Sequence, residues 1–144
     1  MNCHISLRNG VVYMPTMGKM GKGFYRGVEP VAVVPAKNTE ALRQALKATI
    51  MRGNPAVSQP QRRQDWPSPV VLKYAGVKSW SKFERGRRVW DLNESNGIFQ
   101  IAHNSKGPHG WVEDPKQTIT FPPGTSVDSV IDRMIAILQD APQQ

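Results

Sequence analysis

Apolar residues recur at the spacing of an amphipathic helix in two segments of the chain, residues 39–52 and 126–140. In the first segment the apolar positions are Leu42, Ala45, Leu46 and Ile50. Asn38 precedes this segment as a suitable N-cap, and Gly53 follows it as a stop signal. This pattern predicts a helix over residues 39–52.

The second segment has the more regular apolar stripe. Its members are Val127, Val130, Ile131, Met134, Ile135 and Leu138. Thr125 or Ser126 provides the N-cap, directly after the strand-ending sequence Pro122-Pro123-Gly124. The sequence therefore predicts a final helix over residues 126–140.

A short third helix is predicted near residues 79–85. Ser79 is a suitable N-cap, and Trp80 and Phe83 lie one helical turn apart behind it. Two interpretations of the rings remain open: they anchor this helix on the core, or they form an exposed docking patch.

Residues 11–35 have the composition of a β-hairpin. Residues 11–14 and 24–34 are rich in strand formers, and the intervening glycines permit turns. Pro15, Pro30 and Pro35 remove backbone donors, which favours a position at the edge of a sheet.

A second hairpin is predicted around Asn96-Gly97, a strong turn signal between residues 89–92 and 98–101. Polar and apolar residues alternate along both arms, so one face of this sheet is apolar. Residues 103–116 are predicted as a loop and residues 118–121 as a brief strand.

The middle of the chain has less regular signals. Residues 54–69 contain four prolines and read as a long surface loop. The apolar run over residues 69–74 predicts a short strand.

These elements together predict an α+β fold, a mainly antiparallel sheet built from hairpins with the first and last helices on one face. A length of 144 residues fits one domain over residues 1–144. A single cysteine, no secretory signal and no membrane-spanning run predict a soluble, cytoplasmic protein.

Charge is distributed unevenly along the chain. The first 63 residues carry ten Lys and Arg against two Asp and Glu, whereas residues 64–144 carry nine of each. The whole surplus of +8 therefore lies in the first part, which indicates a surface that meets an acidic partner.

The candidate partner-binding residues lie in two basic segments. The first is a hairpin tip with aromatic neighbours, and the second is a run that includes the end of the short helix. The candidates are Lys19, Lys22, Arg26, Lys82, Arg85, Arg87 and Arg88. Guanidinium groups pair with phosphates and carboxylates alike, so nucleic acid and protein both remain open as partners.

Signatures of catalysis, cofactor binding and metal binding are missing from the sequence. His103 and His109 lie near Asp114, and an acid–base pair among them is the weakest hypothesis. The spacing of the histidines and Cys3 matches no usual zinc motif. We expect no enzyme, no cofactor and no metal.

Several short segments, taken in order, resemble a family of small bacterial immunity proteins, the partners of contact-dependent growth inhibition toxins. These segments lie between residues 11 and 138: Val28-Glu29-Pro30-Val31, Arg52-Gly53-Asn54-Pro55, Lys78-Ser79-Trp80 with Phe83, Gly110-Trp111-Val112 with Asp114-Pro115, and Phe121-Pro122-Pro123-Gly124-Thr125.

The resemblance implies a cytoplasmic, non-enzymatic protein that binds a cognate toxin domain and blocks its active site or its access to substrate. It transfers no catalytic or interface residue. The alternative is a basic nucleic-acid-binding module that uses the same cationic residues. The positive charge is unexpected for an inhibitor of a typical nuclease, because such a toxin is itself basic where it holds nucleic acid.

Overall fold

The computed structural model describes residues 1–108 and 110–141, with the side chains of residues 63 and 107 left aside. The strands of the described part are β1 (Asn2–Arg8), β2 (Val11–Met20), β3 (Phe24–Pro35), β4 (Arg88–Ser95), β5 (Ile98–Gly107) and β6 (Gly110–Thr120). They form one antiparallel sheet in the order β3-β2-β1-β4-β5-β6. The helices are α1 (Thr39–Arg52), α2 (Val71–Ala75), α3 (Trp80–Glu84) and α4 (Val127–Asp140), with a 3-10 turn at Arg63–Asp65.

The larger core lies between the sheet and the long helices α1 and α4. Alternate residues of the central strands, including Ile5, Val12 and Leu92, are fully buried against Leu42 and Ile131 of these helices. Period-2 alternation in the strands and period-3.6 stripes in the helices bring these side chains into one layer. The predicted α+β fold, with both main helices on one face, is thus confirmed.

The single cysteine belongs to this larger core. Cys3 lies on β1 and is 2% exposed. Burial raises the pKa of its thiol to about 12.

A smaller core lies on the opposite face of the sheet, under α2 and α3. Phe83 is fully buried there and meets Tyr13 edge to face, with ring centroids 5.5 Å apart. Val71 and Leu72 of α2 complete this cluster. The sheet is therefore covered on both faces, by long helices on one side and by short helices on the other.

The predicted helices have the predicted caps. Asn38 accepts a hydrogen bond from the Ala41 backbone N–H, and Ser126 accepts one from the Ser129 backbone N–H. Ser79 caps α3 through the Lys82 backbone N–H at 3.3 Å. These bonds satisfy backbone donors in the first helical turn. Because each bond joins residues close together in the chain, the capping residues predict the helix starts from the sequence.

The predicted strand over residues 69–74 is wrong, because this segment forms α2. Gly76 adopts the left-handed conformation that ends a helix, with φ 69° and ψ 27°. Val71 and Leu72 are both buried, which a helix lying on the sheet allows for neighbouring residues. A short apolar run fits a strand or a buried helix equally well, and packing decided between them.

The predicted loop over residues 103–116 is also wrong. β5 continues to Gly107 and pairs with β6, which begins at Gly110. Most of β6 is exposed or half-buried, so its sequence lacks the apolar alternation by which a strand is recognised.

β3 lies at the predicted edge of the sheet, and β2 is an inner strand in which the part that contains Pro15 is unpaired on the β1 side. Pro30 and Pro35 lie in β3, at the edge of the sheet, whereas Pro15 lies in β2, between β3 and β1. The ladder between β1 and β2 extends from Arg8↔Val11 to Ser6↔Tyr13 and does not reach Pro15. A missing N–H is tolerated there because Pro15 has no partner in that ladder.

Candidate partner-binding surface

The two strands β1 and β2 diverge beyond Ser6 and Tyr13, and a cleft opens above this divergence. Its volume is about 170 Å³. The lining residues come from β1, β2, β3, the loop before α2 and its first residue, and the segment from α3 to β4: His4, Ser6, Pro15, Met17, Tyr25, Arg26, Gly27, Pro69, Val70, Val71, Trp80, Phe83 and Arg87. We call this site the β1–β2 cleft.

The side chain of Asn54 bridges the diverging strands. Its amide nitrogen donates to the backbone oxygens of Asn2 and Met17, both at 2.8 Å. Its amide oxygen accepts from the Asn2 backbone N–H, also at 2.8 Å. Asn54 thereby satisfies backbone groups of Asn2 and Met17 where the ladder between β1 and β2 has ended, and it links the two strands there.

Arg87 forms one wall of the β1–β2 cleft and is 7% exposed. Its guanidinium carbon lies 4.6 Å from the ring centre of Trp80, 4.9 Å from that of Trp111 and 5.5 Å from that of Phe83. This cation–aromatic cluster joins α3, the residue before β4, and β6. Aromatic faces stabilise a cation electrostatically, and most strongly where water is excluded.

The polar partners of Arg87 are few. Nη1 donates to Ser6 Oγ at 3.1 Å, and Nη2 lies 3.8 Å from Glu84 Oε1, an ion pair longer than a hydrogen bond. The buried Nε–H has no acceptor among the described residues. Burial lowers the pKa of Arg87, because the charged form is poorly solvated there.

Glu84 balances part of this charge. Trp111 Nε1 donates to Glu84 Oε1 at 3.0 Å, and this hydrogen bond lowers the pKa of the carboxyl group. Lys106 Nζ lies 3.8 Å from the other carboxylate oxygen. Glu84 thus remains ionised, and its partners all belong to this chain.

A row of polar side chains runs along the same face from β1 to β5. His4 Nδ1 lies 3.0 Å from Asp91 Oδ1, and Asn104 Nδ2 donates to the other oxygen of Asp91. The sequence did not single out these residues, since β1 was not predicted as a strand. The alternation of Cys3, Ile5 and Leu7 with polar residues was the signal that would have found them.

The predicted basic residues separate into groups. Arg26 and Arg87 both line the β1–β2 cleft. Lys82 and Arg85 are exposed and line a broader groove of about 450 Å³ together with Arg8.

The remaining basic candidates lie apart from both sites. Lys19 and Lys22 are exposed near the tip of the β2–β3 hairpin. Arg88 is half-buried, with its guanidinium carbon 5.5 Å from the ring centre of Trp90, which belongs to the larger core.

The two rings of α3 differ in environment, so one fits the core-anchor interpretation and the other fits the exposed-patch interpretation. Phe83 anchors the helix in the smaller core, whereas Trp80 is 38% exposed and stacks on Phe83. At the hairpin tip, Phe24 is 63% exposed. Both exposed rings are available to a partner.

The weakest hypothesis placed an acid–base pair at His103 or His109. His103 is buried on β5 with its ring 5.4 Å from that of Trp90, and burial lowers its pKa. Asp114 accepts hydrogen bonds from the Lys116 backbone N–H and from Gln117 Nε2. His109 lies outside the described residues.

Within residues 1–108 and 110–141, no cluster of three or more His, Cys, Asp or Glu side chains is arranged to hold a metal ion. In the same part of the chain, no helix has the length and apolar character needed to cross a bilayer.

Comparisons with known proteins show a similarity of fold alone. No family model matches the sequence, and no curated protein matches it. A protein of unknown function from Neisseria meningitidis has a similar structure, with a TM-score of 0.64 and 13% identity over 95% of this chain and 92% of that chain. A chain of the CdiA-CT/CdiI toxin and immunity complex from Yersinia pseudotuberculosis matches with a TM-score of 0.56 and 10% identity over 95% of both chains.

Proposed function

We propose that this protein is an immunity protein that binds and neutralises a cognate toxin domain of a bacterial contact-dependent growth inhibition system. The observation that carries the proposal is the similarity in fold, along nearly the whole of both chains, to a chain of a toxin and immunity complex. In this proposal the protein acts in the cytoplasm by binding, and it blocks the toxin's active site or its access to substrate.

The surface opposite α1 and α4 supports a protein partner. It combines the β1–β2 cleft, the basic groove lined by Lys82 and Arg85, and the exposed ring of Trp80. Trp and Arg are the side chains most enriched at the energetic centres of protein interfaces. A net charge of +8 then predicts that the contacted face of the toxin is acidic.

The test is a binding and protection experiment with the toxin domain encoded beside this protein. We expect the two to co-purify, and cells that express the toxin domain to grow only when this protein is also expressed. The double variant Lys82→Glu/Arg85→Glu is expected to weaken the complex, because it reverses charge in the basic groove.

The matched control is Lys47→Glu/Arg133→Glu, which reverses two exposed charges on α1 and α4. This control is expected to leave the complex and the protection intact. Failure of the unaltered protein both to form the complex and to protect would refute the proposal.

A second candidate function, nucleic-acid binding, is favoured by the tip of the β2–β3 hairpin. There the exposed ring of Phe24 lies on the same hairpin as Lys19, Lys22 and Arg26. Single-stranded nucleic acid binds to surfaces that combine positive charge with stacking rings. Binding of a labelled RNA oligonucleotide that weakens steeply with salt would support this function, and no retention at low salt would exclude it.

A further inference from the structure

We propose that the β1–β2 cleft binds the carboxylate of an acidic side chain from the protein partner, with Arg87 at its inner wall and Arg26 beside it. The assignment of this carboxylate to a protein rests on the proposed function. It adds to that function one specific contact and the chemistry of its recognition.

The first argument is the incomplete pairing of Arg87. A guanidinium group presents several N–H donors in a planar fork, and buried donors in folded proteins almost always have acceptors. Here Ser6 Oγ accepts one hydrogen bond, Glu84 lies 3.8 Å away, and the Nε–H has no acceptor among the described residues. Glu84 and Asp91 balance part of the charge, and the rings around the guanidinium stabilise it, but none of these groups accepts a hydrogen bond from the Nε–H. A buried donor without an acceptor is costly, and an anion in the cleft relieves this cost.

The second argument is that Arg26 reaches the same cleft in a similar condition. Its Nη2 makes one long hydrogen bond, 3.4 Å, to the Ser58 backbone oxygen. Its Nε is buried and also has no acceptor among the described residues. Two under-paired guanidinium groups thus line one small cavity, and none of its described lining residues is acidic.

The walls of the cleft favour a carboxylate on an alkyl stem. Its lining includes the apolar side chains of Pro15, Met17 and Val70 and the ring of Trp80. In such surroundings a charge-assisted hydrogen bond is stronger than in water, and a planar carboxylate matches the guanidinium fork. A glutamate or aspartate side chain presents that headgroup on methylene carbon that the apolar walls can cover.

The first experiment uses small probes and does not involve the toxin. The probe is N-acetylglutamate amide, and N-acetylglutamine amide is its uncharged counterpart. NMR spectra of ¹⁵N-labelled protein follow the Nε–H signals of Arg26 and Arg87 and the indole N–H of Trp80. We expect saturable shifts of these signals with the glutamate probe and none with the glutamine probe.

Matched variants locate the effect. Arg26→Gln, near the rim, is expected to weaken probe binding about tenfold, because it removes one charged donor. Arg87→Lys keeps the charge but removes the fork, and it is expected to weaken binding by a similar factor. Arg133→Gln on α4 is expected to leave binding unchanged. Backbone amide spectra establish that each variant is folded.

The second experiment measures the affinity of the cognate toxin domain for the same variants. We expect Arg26→Gln to weaken this complex about tenfold and Arg133→Gln to leave it unaltered. If Arg26→Gln does not change the affinity for the toxin domain, the carboxylate contact is refuted and the proposed function is unaffected. If the glutamate probe binds specifically but no toxin complex forms, the proposed function is refuted and the cleft is still supported as a carboxylate site.

Three outcomes with the small probes would overturn the inference. These are an absence of saturable shifts, equal shifts with the glutamine probe, and tighter binding of inorganic phosphate than of the glutamate probe. The last outcome would assign the cleft to phosphate and would favour nucleic acid as the partner.

Discussion

Arg87 combines a charge, a flat polar headgroup and a long apolar stem, and the interior of this protein contacts all three. Its guanidinium lies among the rings of Trp80, Phe83 and Trp111 and donates to Ser6. These partners belong to separate elements, so one side chain ties α3 to the strands β1 and β6. The sequence placed Arg87 among the basic partner-binding candidates, and the structure buries its side chain.

We predict that Arg87→Ala lowers the free energy of unfolding by about 3 kcal/mol, because it removes a buried ion-pair member and leaves a cavity among the rings. Urea unfolding followed by tryptophan fluorescence measures this change. The neighbouring variant Arg85→Ala is the control, since Arg85 is exposed and its loss is expected to change stability little. Equal small effects of both variants would contradict the structural role of Arg87.

A second prediction at the residue scale concerns the pH dependence of stability. Burial holds the pKa of His103 below its ordinary value of 6.5, so the unfolded chain takes up a proton at a higher pH than the folded one. The contribution of neutral His103 to the free energy of unfolding is therefore fully present above pH 6.5. It is lost as the pH falls through the folded pKa. Urea unfolding measured from pH 7.5 to 5 reveals this loss.

His103→Gln is the control for this pH effect. The variant is expected to flatten the dependence of stability on pH in that window, because the side chain that replaces the imidazole does not titrate. An unchanged slope in the variant would assign the pH dependence to other groups.

At the scale of elements, the segment that follows α1 packs against β2 through backbone contacts. The Lys19 N–H donates to the Pro55 oxygen at 2.8 Å, and the Val57 N–H donates to the Lys19 oxygen at 3.0 Å. Gly18 lies directly beneath this segment. A Cβ at Gly18 would lie 2.5 Å and 2.8 Å from the two γ-carbons of Val57. The close approach of this segment to β2 thus depends on the missing side chain.

We predict that Gly18→Ala displaces this segment and costs about 2 kcal/mol of stability through overpacking. Limited proteolysis is expected to cleave the variant faster within residues 54–69 than the unaltered protein. The double variant Gly18→Ala/Val57→Ala is expected to recover most of the protection, because Val57→Ala removes both γ-carbons. Unaltered cleavage of the single variant would show that the segment does not depend on this contact.

The elements that the sequence predicted correctly are those whose signals are local. α1, α3 and α4 begin at capping side chains, and the two long helices carry complete apolar stripes. α2 has five residues, which is too short for periodicity to separate it from a strand. β6 is mostly exposed, so only its pairing with β5 identifies it.

The candidate site was less predictable than the fold. The sequence identified Arg26 and Arg87 as basic residues, but it gave no indication that they line one cleft. Their neighbours Ser6 and Trp111 come from β1 and β6, which are far apart in the chain and meet around Arg87 only in the folded sheet. Asn54 lies in a predicted loop, and its bridge between β1 and β2 depends on the arrangement of three separate segments.

At the scale of the whole molecule, the helices that cover the sheet on both sides divide the surface into two faces. The long helices α1 and α4 cover one face, where Arg43 pairs with Asp132 across the two helices. The short helices cover only part of the other face, and the β1–β2 cleft remains open there. Partner recognition is therefore expected on the face of the short helices.

If the proposed function holds, we predict that the association rate of this protein with the proposed toxin domain falls about tenfold between 50 and 500 mM NaCl, because salt screens long-range attraction between a basic and an acidic surface. The dissociation rate is expected to change much less. Stopped-flow fluorescence measures both rates. An association rate that does not depend on salt would mean that the net charge of +8 plays no part in the encounter.

The burial of Cys3 has a practical consequence. A thiol reagent meets this sulfur only in molecules whose sheet has opened, so the rate of modification reports the frequency of opening. A fluorophore carried by a second cysteine, introduced at exposed Lys47 as Lys47→Cys, would label one site without removal of the first. The protein can therefore be labelled at one chosen site for single-molecule measurements while it retains its native cysteine.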